Sequence, residues 1–139
     1  MSKTVFAALA LGAAVAFAGP AFADKYKAAL DAKSEVPPNA STASGTADVD
    51  YDATSKKLSW KITYSGLTGP ATAAHFHGPA EAGKNAGVEV PIPNAGTSPV
   101  EGSATLTEAQ AGDLTSGKLY INFHTAANPG GEIRGQVTK

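Results

Sequence analysis

The sequence predicts an all-β domain, an antiparallel Greek-key β-sandwich or barrel with one short helix. Segments of alternating apolar and polar residues recur at intervals of roughly ten residues. Fifteen Gly and nine Pro among 139 residues separate these segments with turns. A capping box at Thr107 to Gln110 is the one clear helix signal.

The first element is not part of the domain. Met1 to Ala23 has a basic start at Lys3, an apolar stretch from Val5 to Ala18, and a small-x-small ending at Ala21-Phe22-Ala23. That is the layout of a secretory signal peptide cleaved after Ala23, so the expected mature domain is 24–139. The apolar stretch is short for a membrane span. Periplasmic or secreted localisation follows as an expectation, with no membrane attachment after cleavage.

Strands are expected next, each from period-2 alternation. Tyr26, Ala28, Leu30 and Ala32 form one apolar face, and Ala47, Val49 and Tyr51 another. Leu58, Trp60, Ile62 and Tyr64 make the clearest run, joined to the previous strand by a hairpin loop at 53–56. Shorter strands are expected at 72–78, 87–92, 99–106, 117–125 and 131–138. The helix after Thr107 has room for about two turns before Gly117.

Composition excludes several classes of function. Eleven Lys+Arg against twelve Asp+Glu give a net charge of −1. Losing Lys3 with the leader leaves a net charge of −2, without the basic surplus of a nucleic-acid binder. The chain has no Cys, so there is no disulfide framework or zinc–thiolate site. Nucleophile-elbow, phosphate-loop and His-Glu-x-x-His motifs are also missing. Asp48, Asp50 and Asp52 lie on a flat strand face without the looped oxygen cage that Ca²⁺ prefers, and read as solvated.

The three histidines carry the chemistry. His75 and His77 are two apart on one strand, so both project from one face while Phe76 points into the core. Such a pair of imidazoles is a ready transition-metal chelate. In the last hairpin, placing His124 opposite Glu132 aligns Asn122 with Arg134 and Tyr120 with Gln136. The same register pairs Phe123 with Ile133 and Leu119 with Val137 on the other face. His124, Glu132, Asn122 and Arg134, the only Arg of the chain, then share a polar face. Periodicity does not place the 72–78 strand beside the 117–125 strand. Glu35, which precedes Val36-Pro37-Pro38, reads as the start of a rigid turn rather than as a catalytic acid.

Glu35-Val36-Pro37-Pro38, Ala74-His75-Phe76-His77-Gly78-Pro79 and Asn122-Phe123-His124-Thr125, followed by Asn128-Pro129-Gly130-Gly131-Glu132-Ile133-Arg134-Gly135-Gln136, resemble the chordin-type (CHRD) domain family. The resemblance spans essentially the whole mature chain. It implies an exported β-sandwich, with the family's recurring His, Glu and Arg positions at His75, His77, His124, Glu132 and Arg134. The site is also distantly similar to copper-zinc superoxide dismutase, a Greek-key sandwich with a His-x-His pair and an anion-guiding Arg. It departs from that pattern in having no fourth His, no Cys pair and no Asp/His-rich zinc loop.

The expected function is therefore a mononuclear metal site with superoxide dismutase-like activity. His75, His77 and His124 would be ligands, and Glu132 a fourth ligand or the partner that fixes a His tautomer. Arg134 would attract a small anion such as superoxide. Copper is the first choice of metal, ahead of zinc or iron. The rival readings are a non-catalytic extracellular interaction or structural module, and a metal buffer without turnover.

Overall fold

The computed structural model describes residues 23–139; the expected signal peptide lies outside them except for Ala23. The strands are β1 (Asp24–Asp31), β2 (Ser44–Asp52), β3 (Lys57–Ser65), β4 (Ala71–His77), β5 (Val88–Pro91), β6 (Val100–Thr105), β7 (Tyr120–Thr125) and β8 (Ile133–Gln136). One helix, α1 (Glu108–Thr115), lies between β6 and β7. Its capping box forms: the Gln110 N–H donates to the Thr107 hydroxyl, and the Thr107 N–H donates to the Gln110 side chain.

All strand pairings are antiparallel, in the order β5-β4-β7-β8-β1-β2-β3-β6. This single sheet curls into a nearly closed barrel. Trp60 of β3 meets Phe76 of β4 with ring centroids 5.2 Å apart, and Tyr64 of β3 meets Phe123 of β7 at 4.9 Å. These strands are distant in the sheet order, so only curling can join them.

Alternation decides what fills the interior. Leu58, Trp60 and Ile62 of β3, Phe76 of β4 and Ile121 and Phe123 of β7 are all buried. Each such large side chain contributes roughly 1.5–3 kcal/mol through removal from water. Phe76 is fully buried between two histidines that point the opposite way. The core thus anchors the strand that presents His75 and His77 outward.

The outer face of β4, β7 and β8 is polar but sheltered from solvent: Tyr120, Asn122 and Arg134 are buried. Loops 32–43 and 78–87 fold over it and are tied together by the Asn85 side-chain amide, which donates to the Val36 carbonyl at 3.0 Å. Gln136 holds the second loop by donating to the Ala80 carbonyl at 2.7 Å.

Candidate metal centre

β4 and β7 are neighbours, with His75 opposite Asn122, His77 opposite Tyr120 and Ala73 opposite His124. β7 and β8 pair Tyr120 with Gln136, Asn122 with Arg134 and Phe123 with Ile133, the register that alternation predicts. His75, Asn122 and Arg134 therefore form a row across three strands. Opposed residues of an antiparallel pair project to the same side, so the row shares one face with His77, Tyr120 and His124.

The three imidazoles converge there. His75, His77 and His124 offer ligand atoms that all lie within 4.8 Å of one another. The Nδ1 of His75 is 3.2 Å from the Nε2 of His124. Nitrogens bound at about 2.0 Å to one tetrahedral metal sit about 3.3 Å apart, so this pair is already at chelating separation.

Backbone carbonyls select the free nitrogens. The Nδ1–H of His124 donates to the Pro129 carbonyl at 2.9 Å, and the Nδ1–H of His77 donates to the Ala86 carbonyl at 3.0 Å. Each bond places the proton on Nδ1 and leaves the Nε2 lone pair for a metal. The Nε2 of His77 is buried and has no protein partner. Burial first, then the neighbouring imidazoles, pushes His75 below its ordinary pKa. Burial likewise lowers His77, against the opposing effect of its hydrogen bond to the Ala86 carbonyl. Both are therefore biased towards the neutral, ligating form.

Tyr120 and Arg134 support His77 from behind. Tyr120 stacks on His77 with ring planes 3° apart and centroids 5.0 Å apart. The Arg134 guanidinium carbon lies 3.5 Å from the Tyr120 ring centroid, a cation–π contact. Arg134 also donates to the Asn85 side-chain oxygen at 3.0 Å and to the Lys84 carbonyl at 2.5 Å. It is only 2% exposed, so it lies beneath the surface rather than on it. Among the described residues it forms no ion pair with a carboxylate.

Glu132 is not brought to the histidines. Its carboxylate accepts from the hydroxyls of Ser41 at 2.9 Å, Thr68 at 2.5 Å and Thr125 at 2.8 Å. It also accepts from the Asn128 amide at 3.1 Å. Burial raises its pKa, but these donors outweigh burial and hold it at about 2. The tautomer-fixing role expected of Glu132 falls instead to the carbonyls of Pro129 and Ala86. The reason is local: Gly131, at φ +127°, turns the chain just before β8 and takes Glu132 out of the strand alternation.

Glu35 moves the other way, into the neighbourhood of the site. It is buried, with Oε1 lacking a protein partner. A Cβ on residue 131 would lie 2.5 Å from Glu35 Oε1 and 2.7 Å from Asn122 Nδ2. Gly131 thus lets these two side chains approach the backbone. Its position in a Pro-rich loop carries no periodic signal, so alternation could not reveal its burial.

The chain matches the CHRD domain family over residues 26–137, nearly the whole described domain, and belongs to that family. No curated protein and no solved structure matches it significantly.

Proposed function

We propose that this CHRD domain is an exported, mononuclear copper protein that disproportionates superoxide. The observation that carries the reading is the convergence of three imidazole nitrogens, two of them on rings whose Nδ1–H is held by a backbone carbonyl. Imidazole donors without thiolate suit Cu, Zn or Fe. Among the described residues no fourth His, Cys, Asp or Glu joins the group. Three protein ligands with an open position are typical of sites that bind a substrate rather than of closed structural sites.

A copper ion there would supply one-electron chemistry, and two superoxide ions with two protons would yield oxygen and hydrogen peroxide. The protein holds the imidazoles neutral and convergent. Arg134 supplies fixed positive charge behind His77 and Tyr120. That charge favours approach of a small anion to a protein with negative net charge. The leader sequence supports release into the periplasm or the medium.

The test is metal analysis of protein purified from its native compartment, followed by superoxide decay kinetics on the loaded protein. About one copper per chain is expected, with decay faster than chelated aqueous copper. Loaded protein that binds copper without accelerating decay would leave metal buffering. Protein without bound metal would leave an interaction module.

A further inference from the structure

We propose that Glu35 is the proton donor of this site, passing a proton across Asn122 to an oxygen anion held among His75, His77 and His124. The inference rests on the superoxide reading above and deepens it. Disproportionation consumes two protons for each peroxide formed, and the three histidines, as neutral ligands, are poor sources of them.

The geometry selects Glu35. It is 4% exposed and sits over the polar face beside Asn122, whose strand partner on one side is His75 and on the other Arg134. Asn122 Nδ2 and Glu35 Oε1 meet at Gly131, where an added Cβ would lie 2.7 and 2.5 Å from them. Glu35 Oε1, Asn122 Oδ1 and His77 Nε2 are all buried without a protein partner. Buried polar atoms are rarely left unsatisfied, and water or an ion ordinarily completes them. Three of them on neighbouring residues mark a polar path from the loop to the metal cluster. Water held at Asn122 Oδ1 would carry the proton, so the amide itself need not ionise.

Glu35 also has access to solvent protons. It lines a cavity of about 290 Å³ with Lys33, Val36, Arg134 and Gln136. It lines a second one of about 220 Å³ with Asn39, Asn128, Pro129 and Gly131. Glu35 therefore borders two solvent-facing recesses and adjoins Asn122, the strand partner of His75. Arg134 of β8 is the charged group that acts on it, Lys33 shares its cavity, and His75 and His77 of β4 lie beyond Asn122. Burial raises its pKa from 4.5 to about 7, against the pull of Arg134 and Asn122. An acid poised near neutrality is well matched to proton transfer at physiological pH.

The chemistry balances. Copper held by His75, His77 and His124 would supply the one-electron exchange by which two superoxide ions and two protons yield oxygen and hydrogen peroxide; Glu35 would give one of those protons and solvent the other. The Glu35 carboxylate then regains its proton through the cavities.

The test compares wild type, Glu35→Gln and Glu35→Asp as copper-loaded domains, by superoxide decay from pH 5.5 to 9 and by metal content. In metal-free wild type, carboxyl NMR should titrate Glu35 near 7 rather than near the ordinary 4.5. Glu35→Gln should retain copper but turn over at least about ten-fold more slowly at pH 6, since positioned acids contribute roughly 10²–10⁴-fold. It should also lose the decline expected of wild type above about pH 7. Added acetic acid should restore part of its rate, and Glu35→Asp should keep a weakened form of the pH profile. Equal rates and profiles in wild type and Glu35→Gln would overturn the role of Glu35 while leaving the reaction intact. Loss of copper from Glu35→Gln would overturn it in favour of a structural role. A loaded wild type inert towards superoxide would remove the reaction, and this role with it.

Discussion

His77 and Tyr120 share one acceptor. The His77 Nδ1–H and the Tyr120 hydroxyl both donate to the Ala86 carbonyl, at 3.0 and 3.1 Å, while their rings lie parallel. The Ala86 N–H in turn donates to the Tyr120 hydroxyl at 3.0 Å. Tyr120 thus positions both the carbonyl that fixes the His77 tautomer and the ring itself. Tyr120→Phe should keep the stack, release Ala86, and weaken copper binding about ten-fold, the lower end of what supporting groups contribute. Competition titration against a chelator of known affinity measures this; unchanged affinity would show that stacking alone positions His77.

Replacing the histidines should separate metal binding from folding. His75→Ala, His77→Ala and His124→Ala should each reduce copper affinity by at least about 100-fold, beyond the usual cost of supporting groups. His75 and His124 are half-buried on the outer face, so their variants should melt close to wild type without metal. His77 is 8% exposed beneath its loop, and its variant should melt lower. Unchanged affinity in all three would remove the site.

Metal retention should extend to mildly acidic pH. Burial, then the neighbouring imidazoles, lowers the pKa of His75 below 6.5, and burial does the same for His77. Protons therefore compete for these nitrogens only below the pH at which free imidazole protonates. Acid titration of the loaded domain, followed by copper absorbance, should show a release midpoint below about pH 6.5. Release beginning well above that value would show that the cluster does not act as the ligand set.

Glu132 should govern acid stability rather than metal binding. Its folded pKa of about 2 lies below the ordinary 4.5. The stability it confers is thus fully present above pH 4.5 and lost as pH falls towards 2. Glu132→Gln should lower stability at neutral pH by about 3 kcal/mol, because Ser41, Thr68, Thr125 and Asn128 lose a common charged acceptor. Its stability should also vary less than that of wild type over that acidic interval. Denaturant melts at several pH values test both statements, and copper affinity should not change.

Arg134→Gln distinguishes anion attraction from loop anchoring. Loss of the bonds to Lys84 and Asn85 should cost about 2 kcal/mol in either case. If the guanidinium also draws superoxide, the loaded variant should turn over several-fold more slowly with a flatter dependence on salt. Equal rates and equal salt slopes would assign Arg134 to anchoring alone.

Much of this arrangement is legible in the chain itself. Alternation gives the strands, the outward pair His75 and His77 around an inward Phe76, and the register that sets Asn122 against Arg134. The capping box at Thr107 and Gln110 gives the helix start. These features depend on neighbours a few residues apart or on one hairpin, where side-chain periodicity determines the geometry. The pairing of β4 with β7, which brings His124 to the other two histidines, is of another kind. So are the burial of Arg134 beneath loop 78–87, the diversion of Glu132 to Ser41 and Thr68, and the placement of Glu35 beside Asn122. Each depends on how the sheet closes and how irregular loops fold back over it. Alternation records which face a strand residue occupies, but strand order and loop packing arise from contacts between residues far apart in the chain, so the tertiary structure alone decided them.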